Sequence, residues 1–222
     1  MSLFAVIGPV MVGPSSSHTA GANRIGRFAR ALFAHPPRQV RIGLHGSFAA
    51  TGKGHGTHLA LLAGILGLEA DDERIPQADC LAAEAQLDFT IETEDLGDVH
   101  PNSVRIRLEG DGASLDLCAS SVGGGRILVW RVDDFDVELE GDYPTLLMIY
   151  QDRPGVVAVV APVLAVLSLN IATMKVHRTG RGQRALMAIQ LDQVPPDSIL
   201  DALRALPPIE EARFIPGLGL GA

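Results

Sequence analysis

The pattern of apolar and polar residues changes at Gly141-Asp142-Tyr143-Pro144, and this change constrains the fold more than any other feature of the chain. Glycine and proline placed so close together are typical of a linker or turn. Beyond this stretch the pattern predicts strand, helix, strand, strand, helix and strand, which is the split βαβ order. We therefore expect a ferredoxin-like βαββαβ domain over residues 145–216. Its predicted strands cover 145–150, 171–177, 184–191 and 211–214, and its predicted helices end near 167 and cover 197–206.

The block before the linker, residues 1–141, combines predicted helices with a series of predicted strands. Residues 20–34 carry an apolar face at helical spacing, and residues 57–68 predict a second helix that is mostly buried. Gly110-Asp111-Gly112 predicts a hairpin turn between two strands. We therefore expect an α+β protein of two domains. The predicted strands of the first domain cover 39–44, 87–91, 103–108, 115–120, 127–132 and 135–139, whereas 76–84 is ambiguous.

Composition excludes several classes of function. Hydrophobic residues make up 47% of the 222 residues and charged residues 20%, as in a globular protein with a real core. The net charge of −8 leaves no basic face for a phosphate backbone, so we expect no nucleic-acid partner. The longest apolar run, 156–169, contains Pro162 and is shorter than the roughly 20 residues of a membrane span, so we expect no membrane association.

Neither the N-terminal sequence nor the cysteine content indicates export or metal binding. The first residues have no basic segment and no clear cleavage site of a secretory leader, so we expect a cytoplasmic location. The two cysteines, Cys80 and Cys118, lie far apart and have no metal-ligand spacing. An iron–sulfur cluster needs more thiolates than this chain provides, so we expect it to hold no metal by itself.

Two histidines lie in frames of small residues near the start of the chain. Small residues let backbone amides approach a ligand closely, and an imidazole can transfer a proton near neutral pH. We therefore expect the two frames to border a small-molecule site. The frames are Gly13-Pro14-Ser15-Ser16-Ser17-His18-Thr19 and Thr51-Gly52-Lys53-Gly54-His55-Gly56-Thr57.

The serine-rich frame precedes the first predicted helix, where amide donors and the helix dipole favour an anion. This placement predicts carboxylate binding or contact with another chain, whereas N-capping by a serine is the purely structural reading. His18 fits a hydrogen-bond anchor better than an acid–base residue. The candidate substrate-binding residues of this frame are Ser15, Ser16, Ser17, His18 and Thr19.

The glycine-rich frame offers a proton acceptor and a positive charge. His55 lies between glycines, so its ring is sterically open and can act as a general base. The alternative is a loop histidine that caps a neighbouring carbonyl. Lys53 can bind a carboxylate as a point charge or be an ordinary solvated lysine. Thr51 can donate a hydrogen bond to a substrate.

Five motifs in order resemble the β subunit of the iron–sulfur-dependent L-serine dehydratase (L-serine ammonia-lyase), and the resemblance covers nearly the whole chain. In this family residues 1–141 would form an allosteric-substrate-binding-type domain and residues 145–216 an ACT domain. The motifs are the two frames above, Gly46-Ser47, His100-Pro101-Asn102 and Ser121-Val122-Gly123-Gly124-Gly125, and the ACT markers are Asp152-Arg153-Pro154-Gly155 and Asn170-Ile171-Ala172.

The resemblance implies that this chain acts with an α subunit, which holds a 4Fe–4S cluster, to convert L-serine into pyruvate and ammonia. In that reaction His55 is the candidate base for the Cα proton, and residues 15–19, Thr51 and Lys53 are the candidate substrate-binding residues. The alternative function is a non-catalytic, amino-acid-binding regulatory subunit, because the chain carries an ACT pattern and lacks cluster ligands.

The ACT-like region carries its own expectation. Asp152, Gly155 and Asn170 match positions at which ACT domains bind amino acids between paired subunits, and self-association without a ligand is the other reading. The family pattern often reads Gly-Lys-Gly-His-His-Thr-Asp, whereas Gly56 and His58 stand here in place of the second His and the Asp. Pro162 lies inside the predicted ACT helix, where it is expected to cause a kink.

Overall fold

A computed structural model of the chain describes residues 10–219. The N-terminal residues on which the expectation of a missing leader rests lie outside this range. The described chain forms two compact units, one built from residues up to Asp133 with Val137–Glu140 and Gly219, the other from Asp134–Asp136 with Gly141–Leu218. Both contain helices and a sheet, so the predicted α+β class is confirmed. Among residues 10–219, no helix has the length and apolar character needed to cross a membrane.

The first unit packs helices on one face of a six-stranded sheet with strand order β2-β1-β3-β4-β5-β6. Strand β1 pairs in parallel with β2 and antiparallel with β3. Along β3 the buried side chains Val104, Ile106 and Leu108 alternate with the half-buried Arg105 and Arg107, as in a sheet with one face on the core. The helices are α1 (Ala22–Phe33), α2 (Gly46–His55), α3 (Thr57–Ile65) and α4 (Ala78–Glu84), and the strands are β1 (Gln39–Leu44), β2 (Asp88–Thr93), β3 (Ser103–Gly110), β4 (Ala113–Gly123), β5 (Arg126–Val132) and β6 (Phe135–Leu139).

Helices α1 and α3 cross closely because each contributes a glycine at the contact. A Cβ atom on Gly26 would overlap the carbonyl oxygen of Leu61, and one on Gly64 would overlap the carbonyl oxygen of Asn23. The buried side chain of Asn23 also donates a hydrogen bond to the carbonyl of Leu68 at 3.1 Å. The crossing fixes α1, and with it the segment that leads into α1.

The second unit is a four-stranded antiparallel sheet with strand order β10-β7-β9-β8. The order of its elements is βαββαβ, as the sequence pattern predicts. Helix α5 runs through Pro162, which has no N–H to donate to the carbonyl one turn earlier. Its elements are β7 (Thr145–Gln151), α5 (Val156–Val166), β8 (Ile171–Arg178), β9 (Arg184–Leu191), α6 (Ile199–Arg204) and β10 (Ile209–Ile215).

The largest difference from the sequence prediction is α2, because the sequence pattern predicts no helix over the glycine-rich frame around His55. Glycine has a low intrinsic helix propensity, which hides the helix in the sequence. Tertiary contacts override this propensity, since Phe48 and Gly52 are buried against the rest of the unit. Residues 57–68 form a shorter helix than predicted, and the ambiguous 76–84 contains a 3₁₀ turn (Ile75–Gln77) followed by α4.

The glycine crossing generates a stability prediction. Gly64→Ala forces α1 and α3 apart, so we expect the free energy of unfolding to fall by about 1–3 kcal/mol, as for other overpacked cores. Urea denaturation followed by circular dichroism measures the change. Gly54→Ala in α2 is the matched control, because open space surrounds the position of its Cβ atom. Equal stability of the two variants would contradict the close crossing.

Candidate functional site

The serine-rich frame forms a π-helical turn, Ser16–Gly21, that continues directly into α1. Ser15 is its N-cap: the Ser15 hydroxyl accepts a hydrogen bond from the His18 N–H at 3.2 Å, and the Ser15 carbonyl accepts one from the Thr19 N–H at 2.8 Å. The capping role predicted for one serine therefore belongs to Ser15. Ser16 and Ser17 stay half-buried at the start of the turn.

The turn brings His18 next to His55, although the two lie in separate frames. Their ring centroids are 4.9 Å apart, and the edge of Phe48 packs on the ring of His18 at 5.2 Å. His55 is the last residue of α2, which ends at Gly56 in a left-handed conformation with φ of 67°. The structure thus joins the two histidines that the sequence analysis singled out.

One hydrogen bond defines the protonation of neutral His55. Its Nδ1 atom lies 3.0 Å from the carbonyl oxygen of Thr51, one helical turn earlier. A carbonyl can only accept, so Nδ1 carries the proton and Nε2 keeps its lone pair. His55 therefore caps a carbonyl, as in the structural reading, and still offers Nε2 as a base, as in the functional one.

The remaining candidates of the two frames do not all face this pair. Lys53 lies two residues from both Thr51 and His55, which places it on the opposite side of α2, and it is exposed. Thr19 is buried, with 2% of its surface exposed. The residues brought together are Ser15, His18, Thr51 and His55, joined by Ser47, whose hydroxyl lies 3.3 Å from His18 Nε2.

The electrostatic environment keeps His18 neutral. Burial lowers its pKa first, and the positive charge that His55 can carry lowers it further, whereas a backbone hydrogen bond at Ser47 acts in the opposite direction. Burial also lowers the pKa of His58, which lies near Asp79 and Lys53. His58 stands where the family pattern has an Asp. The charged groups near it are Asp79 on α4 and Lys53, and not the His18–His55 pair.

The His100-Pro101-Asn102 motif positions α2. The carbonyl oxygen of Pro101 accepts hydrogen bonds from the N–H groups of Ser47 at 2.7 Å and Phe48 at 3.4 Å, so it satisfies the otherwise unpaired start of the helix. A Cβ atom on Gly46 would lie 2.7 Å from the same oxygen. His100 itself is exposed on this loop, where its Nδ1 accepts a hydrogen bond from the Asn102 N–H at 3.1 Å.

A buried series of hydroxyl groups, which sequence reasoning missed, holds this loop against the sheet. The indole N–H of Trp130 donates to Ser120 at 3.1 Å, the Ser120 hydroxyl lies 2.7 Å from that of Ser103, and Ser103 donates to the carbonyl of His100. Isolated serines on predicted strands carry no signal of such pairing. Their cross-strand register, Ser103 opposite Ser120, is the feature that unites them.

Ser121, the first residue of the Ser121-Val122-Gly123-Gly124-Gly125 motif, packs against the π-helical turn at Gly21. Ser121 is fully buried at the end of β4, and a Cβ atom on Gly21 would overlap its hydroxyl oxygen. The hydroxyl oxygens of Ser121 and Thr19 have no hydrogen-bond partner within residues 10–219. The motif therefore contributes a close packing contact, in addition to the glycines that the sequence analysis emphasised.

The predicted ligand residues of the second unit lie at two places. Asp152 accepts hydrogen bonds from the Gly182 N–H at 2.9 Å and from Arg178 at 3.3 Å, and these partners lower its pKa. Asp152 and Gly155 line a surface cleft of about 510 Å³. Asn170 bonds to Asp192 at the other end of β8, roughly 20 Å away by the rise of an eight-residue strand. One copy of the unit does not bring the three residues together.

The donor set of the chain does not fit an iron–sulfur cluster. Cys80 is exposed on α4, and Cys118 is buried in β4, where burial raises the pKa of its thiol to about 11. Across the part of the chain that the structure describes, no three His, Cys, Asp or Glu side chains are grouped to hold a metal ion.

Comparisons with known proteins give the family. The model of the family "Serine dehydratase beta chain" matches residues 2–95. The chain is 45% identical over 208 residues to the "Probable L-serine dehydratase, beta chain" of Bacillus subtilis (strain 168), covering 94% of each chain. It is 37% identical over 216 residues to the "L-serine dehydratase, beta chain" of Peptoniphilus asaccharolyticus, covering 96% of this chain and 97% of that one.

A more distant relative has a different name. The chain is 27% identical over 200 residues to the "D-3-phosphoglycerate dehydrogenase" of Bacillus subtilis (strain 168), covering 87% of this chain and 37% of that protein. The full-length matches are decisive: the chain belongs to the serine dehydratase beta chain family. The family resemblance predicted from the motifs is thus confirmed, while the ACT assignment of residues 145–216 stays a prediction.

The lowered pKa of His18 predicts how stability depends on pH. The unfolded chain protonates this imidazole more readily than the folded chain does, so the stabilisation is complete above the ordinary pKa of 6.5 and is lost as the pH falls below it. Urea unfolding at about pH 7.5 and pH 5.5 should show a smaller loss of stability in His18→Asn than in the wild type. His35→Asn, at an exposed histidine, is the control and should behave as the wild type does. An unchanged loss in His18→Asn would contradict the shift.

Proposed function

We propose that this chain is the β subunit of an L-serine dehydratase and that, together with an α subunit, it converts L-serine into pyruvate and ammonia. Full-length similarity to two proteins named as L-serine dehydratase beta chains supports this assignment. The observation that carries the chemistry is the Nε2 lone pair of His55 at the end of α2, which has no hydrogen-bond partner within residues 10–219. The reading as a non-catalytic regulatory subunit is less favoured, because both full-length relatives carry the name of the enzyme's β chain.

His55 is the general base for the Cα proton of serine. The hydrogen bond from Nδ1 to the Thr51 carbonyl orients the ring and raises the electron density available at Nε2. A neighbouring His18 that resists protonation adds no competing positive charge to the site. Proton abstraction needs a base within hydrogen-bond reach of its target, and His55 is half-buried at the surface where a substrate can approach.

The substrate carboxylate binds at the start of the π-helical turn. The first amide groups of a helix have no acceptor within it, and here the turn and α1 together form one continuous helical segment from Ser16 to Phe33. The dipole of that segment favours an anion at its start. Ser15 supports the turn as its cap, and Ser16 and Ser17 are the hydroxyl groups nearest the amide donors.

An α subunit completes the site and holds the 4Fe–4S cluster. The two cysteines of this chain lie apart and cannot together ligate a cluster. This supports assigning the cluster to the partner. Within residues 10–219, no atom of another element lies within 4 Å of the Cβ positions of Gly54 and Gly56, which leaves room beside His55 for a second chain. The unpaired state of both cysteines fits a reducing compartment, which supports a cytoplasmic location.

The catalytic assignment is tested by co-expressing the chain with its α subunit and measuring pyruvate formation from L-serine without oxygen. We expect His55→Asn to lower kcat by roughly 100- to 10,000-fold, the usual contribution of a general base. His35→Asn is the matched control and should keep wild-type activity. We expect this chain alone to be inactive. Full activity of His55→Asn in a complex with an intact cluster would contradict this assignment and favour a non-catalytic regulatory subunit.

Residues 1–141 correspond in this proposal to an allosteric-substrate-binding-type domain and residues 145–216 to an ACT domain. The βαββαβ order and the strand order β10-β7-β9-β8 support the second assignment. Strand β8 lies at one edge of the sheet, and Val157 and Val176 are 43% and 45% exposed. An edge strand beside exposed valines supports self-association of this domain. Pairing of two copies would also bring Asp152 or Gly155 of one copy close to Asn170 of the other.

Sedimentation velocity of the full chain tests self-association. We expect the wild type to sediment as a dimer or larger assembly and Val176→Glu to sediment as a monomer, because it buries a charge in the interface. Val194→Glu, at a loop valine that is 68% exposed, should leave the assembly unchanged. Equilibrium dialysis with L-serine separates the two ACT readings: binding that Val176→Glu abolishes supports a ligand between copies, and no binding by an assembled wild type supports self-association alone.

A further inference from the structure

The structure assigns Thr51 a role that neither the motifs nor the family assignment gives it: Thr51 is a positioning residue that orients both His18 and His55, and it is not a substrate ligand. The inference builds on the proposed function, since the two imidazoles belong to the proposed site. It replaces the sequence expectation that Thr51 donates a hydrogen bond to the substrate.

Thr51 uses two different oxygen atoms for the two rings. Its backbone carbonyl accepts from His55 Nδ1 at 3.0 Å, and its side-chain hydroxyl oxygen lies 3.1 Å from His18 Nε2. The first contact is independent of the threonine side chain, whereas the second requires it. A substitution at this position can therefore release one histidine and leave the other held.

Counting protons assigns the donor in the His18 contact. The Thr51 hydroxyl donates its single proton to the carbonyl of Ser47 at 2.9 Å, a common arrangement for a helical threonine. The hydroxyl oxygen then has only lone pairs for its other neighbours. His18 must therefore donate from Nε2, which leaves the lone pair of neutral His18 on Nδ1. The two imidazoles are held as opposite tautomers, His18 with Nε2–H and His55 with Nδ1–H.

The same count leaves no proton and no lone pair on the Thr51 hydroxyl for a hydrogen bond to a substrate. One lone pair of its oxygen accepts from His18, and the other faces the Ser47 hydroxyl at 3.4 Å. A serine substrate would have to displace one of these intrachain contacts to bind the threonine. Within residues 10–219, His55 Nε2 is the ring atom of this pair that keeps its lone pair without a hydrogen-bond partner.

Nitrogen NMR of the full chain with ¹⁵N-labelled histidine tests the geometry without any reaction. Two-bond H–N correlations at a pH where both rings are neutral distinguish the tautomers, and His18→Gln and His55→Gln assign the signals. We expect His18 as Nε2–H and His55 as Nδ1–H in the wild type. In Thr51→Val we expect the His18 signals to change, because Nε2 loses its acceptor on Thr51 and keeps only its contacts with Ser47, while the His55 tautomer stays the same. Thr51→Ser should restore the wild-type spectrum.

Two spectral results would overturn the inference: His55 as Nε2–H in the wild type, or an unchanged His18 spectrum in Thr51→Val. Circular dichroism confirms that each variant is folded. Thr90→Val, at an exposed threonine of β2, is the matched control and should change neither histidine signal.

Kinetics of the complex with the α subunit separate positioning from substrate binding. We expect Thr51→Val to lower kcat by up to roughly 100-fold, since a misplaced reacting group costs this much. We expect the KM for L-serine to stay unchanged, and Thr51→Ser to recover kcat. A raised KM with unchanged kcat would identify Thr51 as a substrate ligand and overturn the inference. If the wild-type complex forms no pyruvate, the proposed function fails, while the NMR result still decides the role of Thr51.

Discussion

Helix α2 depends on the carbonyl oxygen of Pro101, which accepts hydrogen bonds from the N–H groups of Ser47 and Phe48. A segment with glycines at 46, 52 and 54 has little tendency to form a helix by itself. The hydrogen bonds to Pro101 and the burial of Phe48 stabilise the helix and offset this low propensity. Because α2 is helical, Thr51 and His55 lie one turn apart, and the Thr51 carbonyl can accept from His55. Without that turn the ring would have no fixed orientation, and His55 would be a mobile loop histidine.

The loop that carries Pro101 is itself held from the interior of the sheet. Trp130, Ser120 and Ser103 form a series of hydrogen bonds across neighbouring strands that ends on the carbonyl of His100. A second line of contacts begins at Ser121, whose close approach to Gly21 fixes the π-helical turn. Two motifs thus position the two frames that carry the candidate site residues His18 and His55. This division explains why the site is built from short motifs spread over more than a hundred residues.

Some elements could be predicted from sequence because their signals are local. The hairpin at Gly110-Asp111-Gly112 is an example: Asp111 and Gly112 both adopt positive φ, the conformation that a two-residue hairpin turn requires. The βαββαβ order is another, since strand and helix periodicities follow directly from apolar spacing. Helix α2 could not be predicted in this way, because its cap lies on a loop some fifty residues further along. The same limit applies to Asn170, whose sequence marker gives no indication that β8 separates it from Asp152.

The sequence by itself determined the α+β class, the change of pattern near residue 141 and the family, and it pointed to His18 and His55 as candidates, since each of these is written in local periodicity or in contiguous motifs. Only the tertiary structure decided how those histidines are held. It placed the rings of His18 and His55 4.9 Å apart and Lys53 on the opposite side of α2. It also brought one oxygen atom of Thr51 within hydrogen-bond distance of each ring. The physical reason is that hydrogen-bond direction depends on where helices and loops meet in space. Residues 33 positions apart, such as His18 and Thr51, carry no sign of that meeting in their spacing.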